Sequence, residues 1–283
     1  MLTCACEVRC IVGQNLGAAF LRGKSHQCSV RTLPYSLATE WGRPLARAGP
    51  EPAFQGTMPM GAFAMGVENG RSGAKIRAVI FDYGEVLCDR PSDAEFERLS
   101  NLFGTDAKSF RPLWDKNRGA FDRGDITGEA YWSALAVDAG VEIDAAQLDQ
   151  ICKWDVEMFG RANGMMVAWL RQLRQAGIKT GLLSNIHPAM IAYLRENFDW
   201  LDAFDFKTFS AEVRMIKPDP AIYEHTLRGL GVRAAEALFV DDREINVQAA
   251  RELGIHALQF RSVAQLRQEL EAMGFPILPV PQE

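Results

Sequence analysis

The chain has no uninterrupted apolar stretch approaching the roughly 18–20 residues of a membrane span, so no membrane partner is expected. It also lacks an excess of basic residues. Its net charge is −5, whereas a nucleic-acid-binding surface would need a positive patch. Cysteine is sparse and uneven: Cys4, Cys6, Cys10 and Cys28 lie near the start, and Cys88 and Cys152 stand apart in the remainder. The early four lack the paired C-x-x-C units of a zinc ribbon or finger. A disulfide scaffold is not expected either, in 283 residues with no clean export signal. What is present is ordinary for a soluble globular protein, 48% hydrophobic and 24% charged residues. The length suits one large domain or two modest ones, and the expected location is cytoplasmic.

Two compositional regimes divide the chain. Residues 1–72 are rich in Gly, Ala, Pro and Arg and follow no sustained helical or strand period. They carry seven basic against four acidic residues, while the remainder holds 24 basic and 32 acidic. Glu7 and Arg9 interrupt the initial apolar stretch, which therefore lacks a signal-peptide core and is only weakly transit-peptide-like. A start assigned too early, with the true one at Met58, Met60 or Met65, fits equally well. Residues 1–74 are expected to be a disordered extension.

From Lys75 the pattern becomes regular. "KIRAVIFD", "KTGLLS", "EALFVD" and "HALQF" read as strands, and "DFKTFS" as a weaker fifth. Amphipathic helices over 187–197, 219–230 and 244–253 separate them. Strands alternating with helices at this spacing predict a Rossmann-like α/β fold, a parallel sheet with helices on both faces. Right-handed crossovers then bring every strand C-terminus to one edge, where open α/β sheets bind ligands. Residues 93–164 break the alternation with four helical patterns, and Trp114, Trp132 and Trp154 among them read as core residues. This block leaves the chain just after Asp82, so it should sit above the same edge as an all-helical cap. The α/β core would then comprise 75–92 and 165–276.

The strand ends carry an ordered set of polar residues: Asp82, then Ser184 and Asn185, then Lys217 in "MIKPDP", then Asp241 and Asp242 in "FVDDREIN". Singly, each has a plain reading. Ser-Asn and Asp-Asp pairs cap helices, and Lys217 before Pro218 would be a loop lysine. Together and in this order, over about residues 75–275, they closely resemble the four motifs of the haloacid dehalogenase-like hydrolase superfamily.

That resemblance implies a phosphatase in which Asp82 attacks phosphorus and becomes a transient aspartyl-phosphate. It implies a Mg²⁺ cofactor held by Asp82, Asp242 and the backbone carbonyl of Gly84, with Asp241 supporting or sharing it. Lys217 would place a positive charge between nucleophile and phosphoryl oxygens, and Ser184 and Asn185 would bind those oxygens. The partner would be a small phosphorylated metabolite. A role for Asn246 in steadying the acids competes with a helix-surface role, and His187 reads as first-turn helix structure. Arg90, Arg118 and Arg123 read as solvated surface charges.

One part of the pattern is absent. Phosphatases of this family usually carry a second Asp two residues after the nucleophile, to protonate the leaving alcohol and later activate water. This chain has Gly84 there. Glu85, Asp89, Tyr83 or an acid from the cap would then serve instead, or the leaving group would need no proton. Two other readings stand beside the phosphatase: a non-catalytic binding or regulatory protein, and a metal-independent 2-haloacid dehalogenase. The paired acids at 241–242 argue against the dehalogenase, because acids beside a third would repel without a cation.

Overall fold

The computed structural model describes residues 75–279; the extension expected at 1–74 lies outside the described residues. Five short apolar runs form one sheet: β1 (Ala78–Phe81), β2 (Lys179–Ser184), β3 (Phe206–Phe209), β4 (Ala237–Asp241) and β5 (His256–Gln259). All pairings are parallel, in the order β3-β2-β1-β4-β5. Such strands are covered on both faces, which is why β1 and β4 are apolar almost throughout rather than alternating.

Successive side chains of each strand serve opposite faces. Val79, Phe81, Leu182 and Val240 pack with Trp169, Leu170, Leu194 and Leu266 in one core cluster. Ala78, Ile80, Leu183 and Phe239 pack with Ile222, Tyr223, Val247 and Ala250 in a second. Three helices supply the first cluster: α6 (Gly164–Gln175), α7 (Pro188–Asn197) and α11 (Val263–Ala272). Two supply the second, α9 (Pro220–Leu230) and α10 (Glu244–Glu252), while the one-turn α8 (Ser210–Val213) follows β3. The strand order reverses at β1, so the C-terminal ends of β1, β2 and β4 flank the crevice where such sheets accept ligands.

Between β1 and α6 the chain makes a helical insertion: α1 (Asp93–Leu102), α2 (Ala107–Lys116), α3 (Arg118–Asp122), α4 (Gly128–Ala139) and α5 (Ala145–Glu157). Ser92, Asp106, Thr127 and Asp144 cap α1, α2, α4 and α5, each accepting a backbone N–H of the first turn. Four helical patterns are expected over 93–164, and the structure has five helices, because the stretch 107–121 divides into two. The chain leaves the helical conformation at Asn117 (φ −117°, ψ 9°), a residue whose amide competes for backbone partners and favours helix ends. The insertion has its own core, including Phe103, Phe110, Phe121, Tyr131, Trp132 and Ile151. Trp114 and Trp132 are buried, and Trp154 is half-buried beneath the Arg98 guanidinium at 4.1 Å.

Candidate active site

The sheet edge gathers the motif residues at their expected places. Asp82 follows the last residue of β1, Ser184 ends β2, Asp241 ends β4, and Asp242 follows it. Lys217 comes from the loop ahead of α9. The residue is 3% exposed, and its ammonium lies 2.9 Å from Asp82 Oδ1 and 2.6 Å from Asp241 Oδ2. It also donates to the Leu183 carbonyl at 3.0 Å. Burial alone would lower the Lys217 pKa, but Asp241 and Asp82 outweigh it and hold the ammonium charged.

Asp241 is completely buried and fully engaged. Besides Lys217, it accepts from Asn246 Nδ2 at 2.9 and 3.1 Å and from the Arg243 backbone N–H at 2.9 Å. This leaves Asp241 little capacity for a further ligand and gives it the task of orienting Lys217. Of its two sequence readings, Asn246 follows the one that steadies an acid, holding Asp241 through both carboxylate oxygens. Asn185 is likewise occupied: its amide donates to the Lys217 carbonyl at 3.0 Å and accepts the Lys217 backbone N–H at 2.8 Å. Its side chain clamps the lysine loop, whereas the sequence reading points it at phosphate.

Asp82 and Asp242 carry the electrostatic tension. Burial raises the Asp82 carboxyl to about 6, with Lys217 pulling down and Asp241 pushing up. Burial, then Asp82 and Asp241, raise Asp242 to about 7. Carboxylate oxygens of Asp82, Asp241 and Asp242 lie within 4.8 Å of one another. An all-oxygen set of this kind, with two acids strained by their neighbours, fits a hard divalent cation.

These groups line a cavity of about 520 Å³ together with Gly84, Glu85, Ser184, Asn185 and residues of the insertion. Gly84 has open space around it, and a Cβ there would meet no atom within 4 Å. Among the substitutes for the absent acid, the Tyr83 hydroxyl already donates to the Phe159 carbonyl at 2.5 Å. Glu85 faces Arg90 at 3.6 Å. Asp89 is exposed and lies off the cavity wall.

A family model for haloacid dehalogenase-like hydrolases matches residues 76–254, the span that holds every one of these groups. The chain belongs to the haloacid dehalogenase-like hydrolases. Among curated relatives of this hydrolase, a sesquiterpene phosphatase of Aspergillus oryzae is 30% identical over 183 residues, covering 64% of this chain and 88% of that protein. A haloacid-dehalogenase-family enzyme of Bacteroides thetaiotaomicron, solved as a magnesium complex, shares the fold at TM-score 0.55 and 23% identity, over 66% of this chain and 93% of that one. An L-2-haloacid dehalogenase of Xanthobacter autotrophicus, solved with chloropropionic acid covalently bound, shares it at TM-score 0.51 and 22% identity, over 72% and 85% of the two chains.

The hydrolase also brings together residues that the sequence reading passes over. Arg118, expected at the surface, has a side chain only 14% exposed and donates to Asp155 at 2.8 and 3.0 Å. His187, whose Nδ1 caps α7, has Nε2 3.3 Å from the same carboxylate. Phe121 stacks on the His187 ring at 4.3 Å. Arg90 is exposed, as expected, and pairs with Glu85, while Arg123 is half-buried and pairs with Asp125. The signal for Asp155 is in the sequence: it shares a helical stripe with Ile151 and Met158, where an acid must have a partner.

Proposed function

We propose that this hydrolase is a Mg²⁺-dependent phosphatase that cleaves a small phosphorylated metabolite through an aspartyl-phosphate on Asp82. The observation that carries this reading is the Lys217 ammonium between Asp82 and Asp241, with the Asp242 carboxylate in the same oxygen cluster. Asp82, Asp242 and the Gly84 carbonyl would hold the metal, whose charge would relieve the repulsion between a phosphoryl group and an attacking carboxylate. Asp82 attacks phosphorus. Lys217 neutralises charge on the phosphoryl oxygens as the bond forms, and its fixed position costs no reorganisation at that moment. Ser184, at the end of β2 on the cavity wall, binds the same oxygens.

The helical insertion 93–164 acts as a cap over the core of 75–92 and 165–276, closing the cavity and contributing the wall that meets the substrate. A three-acid cluster disfavours the metal-independent dehalogenase, whose nucleophile would work beside uncompensated charge. The test is phosphate release from a panel of phosphorylated metabolites by the full chain. Mg²⁺ should support it, and Asp82→Asn should lower it by roughly 10³-fold or more, as removal of a nucleophile does. Metal-independent chloride release from 2-chloropropionate, with no phosphate release, would overturn the proposal.

A further inference from the structure

Departure of an alkoxide from phosphorus calls for a proton donor near the departing oxygen, and help of this kind is worth about 10²–10⁴ in rate. Asp82 and Asp242 are already committed to the nucleophile and metal roles, and Gly84 has no side chain. Three other acids line the cavity: Glu85, Asp115 and Asp122. Each faces an arginine, Glu85 at 3.6 Å from Arg90, Asp115 at 3.8 Å from Arg111 and Asp122 at 3.2 Å from Arg118, but the Glu85 and Asp115 side chains are 25% and 61% exposed against 12% for Asp122.

Asp122 differs from both. It is 8% exposed, and its Oδ1 makes no hydrogen bond. Arg118 Nε lies 3.2 Å from that oxygen and ion-pairs with it. The Arg118 end group is turned to Asp155, which it grips through both carboxylate oxygens. Asp122 is also fixed in place. Its carbonyl accepts from Ser210 Oγ at 2.5 Å, and Ser210 Oγ in turn accepts the Ile186 backbone N–H at 2.8 Å. Ile186 is two residues beyond Ser184, so the acid is tied to the loop that leaves β2.

We propose that Asp122 protonates the departing oxygen and afterwards takes a proton from the attacking water, the two tasks for which Gly84 has no group. The assignment rests on the phosphatase reading above. In the first step an Asp82 oxygen bonds to phosphorus and the phosphorus–ester oxygen bond breaks. The Asp122 carboxyl proton passes to that oxygen, releasing the alcohol. In the second step a water oxygen bonds to phosphorus and Asp122 takes one water proton. The Asp82–phosphorus bond then breaks, which restores both acids and releases phosphate. Burial holds the Asp122 carboxyl above the usual carboxylate range, with Arg118 and His187 opposing, which favours the protonated form that the first step needs.

The test is the dependence of kcat/KM on the leaving group, measured with Mg²⁺ for the full chain on aryl and alkyl phosphates. Wild type should show a shallow dependence, because the acid compensates poor leaving groups. Asp122→Asn should lose about 10²–10⁴-fold on alkyl phosphates. On p-nitrophenyl phosphate, whose phenolate leaves without a proton, it should lose less than about tenfold, since that acid assistance is not required there. Adding Gly84→Asp to D122N should recover at least about tenfold on alkyl phosphates, since position 84 has space for the side chain.

A steep dependence in wild type, an equal fall on all esters, or no fall in D122N overturns the assignment. A steepened dependence in Glu85→Gln, with none in D122N, overturns it in favour of Glu85. Absence of phosphate release from every ester by wild type overturns the phosphatase reading itself.

Discussion

Lys217 is the residue on which the site turns. Its ammonium meets two carboxylates and a carbonyl while almost wholly buried. Lys217→Met should therefore lower kcat by about 10²–10³, the usual effect of deleting one group that stabilises the transition state. Steady-state kinetics at saturating Mg²⁺ checks this; an unchanged kcat would show that Lys217 only holds Asp241 in place. The residue types of the site were legible because the chemistry admits few alternatives at strand ends in this order. Their partners were not. Nothing in "SNIHP" says that the Asn185 amide closes on the Lys217 backbone, because that contact joins residues 32 positions apart.

At the scale of elements, α3 and α5 of the insertion meet α7 of the α/β core through one buried polar cluster. Asp155 sits between Arg118 and His187, and burial that would raise its carboxyl is outweighed by Arg118 and His187, which hold it at about 2. The folded value lies below the ordinary Asp value of 3.8. Its stabilising contribution is therefore complete above about pH 4 and is lost as pH falls towards 2. Asp155→Ala should destabilise the fold by about 3–5 kcal/mol, because Arg118 loses its bidentate partner inside the protein. Urea midpoints measured across this pH range check both claims. The gap between wild type and variant should be widest above pH 4 and shrink on acidification; a constant gap would assign the loss to packing.

The elements themselves were readable from periodicity. All five strands fall where apolar runs end in polar residues, and Asn117, which splits the expected helix over 107–121, is visible as a helix-ending residue only in retrospect. Arg118 was misread for a physical reason. An Arg and an acid four positions apart on a helix are normally a solvated pair. The rings of Trp114, Phe121 and Tyr131 and the Asp155 carboxylate enclose this one, and all but Phe121 belong to other helices.

At the scale of the molecule, a parallel sheet that reverses strand order at β1 places the ends of three strands around one cavity, and a five-helix insertion supplies much of its remaining wall. Among the described residues no helix is long and apolar enough to cross a membrane. Charge organises the assembly: three acids crowd one edge, the Lys217 ammonium offsets part of their charge, and the proposed Mg²⁺ would offset more. Chelation of divalent metal should therefore suppress phosphate release, and adding back Mg²⁺ should restore it. A rate unchanged by chelation would remove the metal from the account.

The most direct measurement is phosphate release by wild type and by Asp82→Asn from one panel of phosphate esters, with Mg²⁺ and with chelator. The account predicts release only from wild type with Mg²⁺. Release that survives Asp82→Asn, or none from wild type on any ester, would contradict it.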